Sequence, residues 1–432
     1  MSVFNLSNAI MGSGILGLAF AMSNTGIILF LILLVSIALL SAYSIHLLLK
    51  SAGVVGIRAY EQLGLRAFGQ PGKMIASHDS LSPLAMSSYL FIVKSELPLV
   101  IQTFLGKHVN TGEWFLNGNY LIIIVSIAII LPLALMKHLG YLGYTSSFSL
   151  SCMVFFLISV IYKKFNIPCP LDDQTHNTTS ATAVHAVFNS TSDFCEAKLF
   201  TVNSQTAYTI PILAFAFVCH PEVLPIYTEL RNATKKRMQR VANISILAMF
   251  VMYLLTAIFG YLTFYGAVES ELLHVYSRVD QLDVLILCVR LAVLVAVTLT
   301  VPVVLFPVSI KCPFHWARHV VIAFCLIFMV NILVIFVPSI RDIFGLIGAT
   351  SAPSLIFILP GIFYVRIIPK EKEPLFSRPK IQVLVFLPLR FLCIVCVADP
   401  DFFIASSTGC SFRREMPRTC EEPPPTTKTE QV

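Results

Sequence analysis

The sequence predicts an all-α polytopic membrane protein, built as two five-helix halves of opposite orientation with an eleventh span after them. Three observations carry that prediction. The 432 residues are 56% hydrophobic and only 12% charged, with a mean hydropathy of +0.81, whereas a soluble chain carries about 25% charged residues. Apolar stretches of the length a bilayer requires, about 20 residues, recur along most of the chain. Two of those stretches are interrupted, one at the head of each half: Gly12-Ser13-Gly14 and Cys219-His220-Pro221-Glu222. Gly12 and Gly14 loosen the first backbone, and Pro221 and Pro225 remove N–H donors from the second. In hydrocarbon, freed backbone groups are tolerated only where protein or a water-filled cavity satisfies them. Matching breaks in two halves of a chain point to a cargo-binding site.

The first span, 3–22, carries Asn5, Ser7 and Asn8 and passes across Asn24-Thr25-Gly26 straight into a second at 26–49, which is not the pattern of a cleavable signal peptide. Spans three to five follow at 84–105, 119–136 and 144–162; the third contains Lys94 and Glu96. Spans six to ten fall at 206–227, 243–265, 283–307, 319–338 and 343–365, and an eleventh at 381–398 is interrupted by Pro388 and Arg390. Residues 1–370 thus read as one transport domain with repeats at about 3–162 and 206–365, an outer loop at 163–205, and a divergent last span and tail at 371–432. Five spans per half force the second half to run opposite to the first.

Loop charge sets the orientation. One set of loops carries Arg58, Arg66, Lys73, Lys137, Arg231, Lys235, Lys236, Arg237, Arg240, Lys311, Arg318, Lys370 and Lys372, whereas the alternate set holds Glu113, Asp172, Asp173, Asp193, Glu196, Glu269 and Glu271. The basic set is expected in the cytosol, which puts the N-terminus inside and the C-terminus outside; Lys163 and Lys164 are a small exception. The outer loop carries sequons at Asn177 and Asn189, and Cys169 and Cys195, which suit a disulfide in an oxidising compartment. The other cysteines lie mostly in or beside spans, as small packed side chains.

Several residues could carry chemistry. At Gly12-Ser13-Gly14 an unwound backbone exposes N–H groups that can hold a carboxylate; close packing through small residues is the alternative. His220 and Glu222 beside Pro221 could take a proton or an amine, or Glu222 could simply be wet at a cytosolic end. Thr298 and Thr300 precede Pro302 in span eight. A hydroxyl there suits a hard cation such as sodium, but residues two apart face nearly opposite sides of a helix, so at most one is a ligand; otherwise each bonds its own helix backbone. Arg290 lies inside span eight and is expected to face the bundle interior in a structural or gating ion pair. Arg341-Asp342 reads as an outer-surface pair. No metal-ligand cluster, catalytic triad or phosphate loop stands out, so neither an enzyme nor a cofactor is expected, and the +7 charge is loop bias rather than a nucleic-acid patch.

Five stretches carry a family resemblance: Asn5 through Leu18, Leu139-Gly140-Tyr141-Leu142-Gly143-Tyr144-Thr145-Ser146, Phe217 through Tyr227, Phe259 through Tyr265, and Arg290 through Pro302. They resemble the sodium-coupled neutral amino acid transporters, solute carrier family thirty-eight, within the amino acid/auxin permease superfamily. The resemblance implies a LeuT-like core of ten helices in two inverted repeats plus an eleventh. It also implies inward symport of one sodium with one small neutral amino acid of the alanine, glutamine, serine or asparagine type. It places sodium at Asn8 and Thr298, and the substrate at Gly12, Ser13, Gly14, Val218, Cys219 and His220. It pairs Cys169 with Cys195. System A behaviour implies net charge movement; system N behaviour adds proton exchange.

The chain departs from the family pattern in three places: it starts almost at span one, residues 75–83 replace an apolar start to span three, and the match fades after about residue 380. The last two read as an altered exon junction; if span eleven does not insert, the C-terminus is cytosolic. The sequence therefore predicts a sodium-coupled amino acid symporter of the plasma membrane. Its rivals are a proton-coupled permease, a non-transporting amino acid sensor and an inactive isoform.

Overall fold

Every apolar stretch expected through residue 365 falls on helix in the computed structural model, which describes residues 2–78, 82–105, 114–135, 142–167, 196–279, 283–309, 316–337 and 339–368. Seven helical segments are long and apolar enough to cross a membrane, and an eighth is added if the bent pair Ser2–Met11 and Gly14–Thr25 is one span. Two shorter apolar helical stretches, Gly118–Leu133 and Ala323–Phe336, accompany them. The described residues hold no β-strand. The expected eleventh span, both sequons, and Cys169 and Cys195 lie outside the described residues.

The helix Ile27–Val55 shows how sequence sorts lipid from core. Ile28, Leu31, Ile32, Val35 and Leu39 form one exposed apolar stripe at helical spacing, and Phe30, Leu34, Ile37 and Ser41 are buried on the other side. Large exposed side chains in such a stripe suit acyl chains rather than water. The segments Gln205–Glu229 and Ile340–Ile367 are instead enclosed on most sides. They pack so closely that a side chain at Gly348 would lie 2.1 Å from the Pro211 carbonyl.

Helix irregularities are satisfied by neighbours, as a bilayer requires. In the π-turn Ser354–Ile358, the Tyr60 hydroxyl donates to the Leu355 carbonyl at 3.0 Å and Ser44 donates to that of Ile356. Another π-turn, Ser126–Ile130, places buried Ser126 where Asn331 donates to it at 3.0 Å.

The two charged side chains of span three both find partners. Lys94 donates to the Val334 carbonyl at 2.9 Å. Glu96 meets Arg290 at 3.2 Å, both side chains being almost completely buried. Lys163 and Lys164 are tied down too, Lys163 to Asp283 and Lys164 to the Leu262 carbonyl. Arg341 faces Asp342 at 3.7 Å and donates to Gln205 at 3.1 Å on a partly exposed surface.

Candidate functional site

Both breaks form where the residues dictate. The first helix stops at Met11, and Gly12 takes φ +41, which L side chains rarely adopt. A 3₁₀ turn, Gly14–Gly17, then leads into Leu18–Thr25, and the two halves are bent by 44°. In the second half, Thr209–Ala216 ends and a new helix, His220–Glu229, begins, with Pro221 in its first turn, where a missing N–H costs nothing. The helix starting at His220 leaves its first amides without intrahelical acceptors.

The two breaks touch. A Cβ added at Gly14 would lie 2.9 Å from the Ala216 Cα, so the backbones meet with no side chain between them. The hydroxyl of Tyr253, on the helix Lys235–Phe264, is the hub of this contact. It lies 2.8 Å from the Ile10 carbonyl, 3.1 Å from that of Met11 and 2.8 Å from that of Ala216. These carbonyls are the C-terminal ends of the two leading half-helices, where the helix dipoles concentrate negative potential. One fully buried O–H thus serves three acceptors, and its ring packs edge-on against Phe217 at 5.3 Å.

Span three supplies the other wall. Ser13 and Ser88 share a hydrogen bond of 2.6 Å, and the Tyr89 hydroxyl would lie 3.0 Å from a Cβ at Gly12. On the second break, Val218 and Cys219 are buried, and the Val218 amide donates to the Phe215 carbonyl at 3.1 Å. The His220 ring is completely buried, and neither of its nitrogens has a hydrogen-bond partner among the described residues. Glu222 is largely buried rather than wet. The two stretches that carry the residues expected to meet substrate therefore meet at Gly14 and Ala216.

Of the two candidate threonines, it is Thr300 that faces Asn8, with its hydroxyl 3.4 Å from Asn8 Oδ1. Thr298 donates to the Leu294 carbonyl of its own helix at 2.7 Å and is only partly buried. The structure brings Asn8 to Thr300 rather than to the expected Thr298, because a step of two residues turns a side chain by about 200°. Thr300 also lies 3.4 Å from Ser149 and donates to the Ala296 carbonyl at 2.8 Å. Asn8, Ser149, Ala296 and Thr300 thus present four oxygens to one another. Nearby, Asn5 Oδ1 and Asn8 Nδ2 are buried without partners among the described residues. Ser88, Tyr89 and Tyr253 at the breaks, and Ser149 beside Thr300, were missed in the sequence because nothing local to them marks what they touch.

Comparison with known proteins follows this geometry. Residues 1–399 match the family described as transmembrane amino acid transporter protein. The sodium-coupled neutral amino acid symporter 2 of Danio rerio is 57% identical over 404 residues, covering 91% of this chain and 79% of that protein. The human sodium-coupled neutral amino acid transporter 4 is 55% identical over 443 residues, covering 90% and 81%. Among solved structures, Mhp1, a nucleobase-cation-symport-1 family transporter in a closed conformation with bromovinylhydantoin bound, superposes with a TM-score of 0.57 at 13% identity, covering 94% of this chain and 92% of that one. The architecture is a LeuT-like transporter fold.

Proposed function

The chain belongs to the transmembrane amino acid transporter family, and from that premise we propose how it carries its cargo. It is a multi-pass, sodium-coupled symporter of neutral amino acids and not an enzyme. Our reading is that the substrates are small neutral L-amino acids of the alanine, glutamine, serine and asparagine type. The α-carboxylate and amine meet the unwound backbone at Gly12, Ser13, Gly14, Val218, Cys219 and His220. Sodium sits between the first and eighth spans at Asn8, with Thr300 rather than Thr298 as the hydroxyl that reaches it.

The observation that carries this reading is the convergence of both breaks on Tyr253, at 2.8 Å from Ile10 and 2.8 Å from Ala216. Sodium bound at Asn8, one helical turn before the first break, orders the half-helix whose end lines the substrate site. Binding of each ligand then favours the other, and that coupling is reciprocal. An inward-negative potential contributes about 2.3 kcal/mol per charge per 100 mV, so uptake is electrogenic unless a proton is exchanged.

We place the protein in the plasma membrane with its N-terminus cytosolic. The loop 163–205 is then outside, with glycans at Asn177 and Asn189 and a Cys169–Cys195 disulfide, and the C-terminus is extracellular once the last span inserts. The test is uptake of radiolabelled alanine and glutamine in cells expressing this chain, in sodium against choline, with surface biotinylation. Uptake that requires sodium is expected. Equal uptake in choline, or none from chain at the surface, refutes the reading.

A further inference from the structure

Away from the breaks, three helical segments bury a cluster of charge. Glu96 is fully buried on Ser82–Leu105, Arg290 is buried on Val284–Ser309, and Glu271 is buried just before the short helix Leu272–Val279. Arg290 Nε lies 3.2 Å from Glu96 Oε2, and its guanidinium also donates to the Leu273 carbonyl at 3.2 Å. Ser95 Oγ lies 3.0 and 3.1 Å from the two oxygens of Glu271. Glu96 directly follows Ser95 in the chain, so the contact of Ser95 with Glu271 brings the second carboxyl to the same cluster. Among the described residues, the other titratable group facing the pair is His274, which is itself held by Glu269 at 3.0 Å.

Two buried acids therefore share one strong base. With both acids ionised the cluster carries a net negative charge away from water, a costly arrangement. One proton between the acids removes it, as in other carboxyl pairs that cannot both ionise. The hydrogen bonding suits either state. Ser95 can donate to an ionised Glu271, or accept from a protonated one while donating to the Ile92 carbonyl at 3.2 Å. Glu271 lies between the candidate spans, and burial, followed by the nearby Glu96, holds its carboxyl well above the usual carboxylate range. The segment Leu272–Val279 that it anchors packs on the 3₁₀ turn Gly14–Gly17 of the first break.

We infer that Glu96 and Glu271, framed by Arg290 and Ser95, form a binding site for one proton, and that its occupancy is linked to the broken helices through Leu272–Val279. The linkage rests on the symport reading above; the proton site does not. An unfolded carboxyl releases its proton near pH ~4.3, whereas the buried Glu271 carboxyl holds its proton to higher pH. The folded protein binds more protons in between, so its stability falls as pH rises through that window.

The test uses the purified full chain, with Tm measured from pH 5 to 9, and sodium-dependent alanine uptake over pH 6 to 9 with surface biotinylation. Wild-type Tm is expected to fall with rising pH, and Glu271→Gln, which fixes the neutral form, should flatten both the Tm slope and the uptake profile. Ser95→Ala removes a donor to the ionised form and should move both midpoints upward by about half to one pH unit; it decides the matter if Glu271→Gln fails to fold. A flat wild-type Tm, or wild-type Tm slopes in the variants, overturns the proton site. Unchanged uptake profiles beside altered Tm slopes overturn the linkage. Absence of wild-type uptake counts against symport, while the Tm series still decides the site.

Discussion

Replacing Tyr253 by Phe removes one oxygen and keeps the ring with its edge-on contact to Phe217 at 5.3 Å. Three carbonyls, of Ile10, Met11 and Ala216, then lose the donor now 2.8 to 3.1 Å away. A buried polar group left without its partner costs about 1–3 kcal/mol. Here the loss falls on the arrangement in which both half-helix ends converge, not on the bundle as a whole. If that arrangement is the one that binds, its population drops by about tenfold for each 1.4 kcal/mol. The expected phenotype is normal surface expression with an alanine affinity weakened about five- to 140-fold. The assay is binding of labelled alanine in saturating sodium to Tyr253→Phe membranes, normalised by surface biotinylation, with Tyr253→Leu as the control that also removes the ring. An alanine affinity within twofold of wild type in Tyr253→Phe would refute the reasoning, because the breaks would then be held by something other than that hydroxyl.

Three further outcomes follow from the same geometry. Gly14→Ala would put a methyl 2.9 Å from the Ala216 Cα, so the backbones must separate, and uptake at normal surface expression is expected to fall by tenfold or more; wild-type uptake would show that the breaks need not touch. Thr300→Ala and Asn8→Ala should each raise the sodium concentration for half-maximal uptake several-fold, and Thr298→Ala should change it less, since it is the Thr300 hydroxyl that lies 3.4 Å from Asn8; the reverse order would restore Thr298 as the ligand. Arg290→Ala leaves Glu96 and Glu271 buried without their base, a loss of about 3–5 kcal/mol, and should deplete the surface pool in a biotinylation assay, whereas Arg290→Lys should retain part of it.

The breaks were legible because their causes are local. Gly12 takes a positive φ that ends one helix, Pro221 suits the first turn of a new one, and an interruption inside an apolar run has few reasons to exist in a bilayer. The partners were not legible, because Tyr253 and Ser88 reach the breaks, and Ser149 reaches Thr300, from helices distant in sequence, and each looks like an ordinary polar residue on its own helix. Arg290 and Glu96 were each visible as a costly buried charge, but only the packing of Ser82–Leu105 on Val284–Ser309 reveals that they meet. Which of Thr298 and Thr300 lies beside Asn8 was not legible for a narrower reason. Spacing shows that the two face different ways, yet which way is inward depends on the rotation of that helix about its axis, and an almost uniformly apolar run such as Leu285–Val297 leaves that rotation unmarked.

The central claim is that the two broken helices join a sodium site and an amino acid site into one coupled unit. The most direct measurement is equilibrium binding to the purified chain, with labelled alanine titrated at fixed sodium and labelled sodium titrated at fixed alanine. The account predicts that saturating sodium tightens alanine about five- to 150-fold, that alanine tightens sodium by the same factor, and that Thr300→Ala shrinks both factors together. Alanine affinity that is the same in sodium and in choline would contradict it.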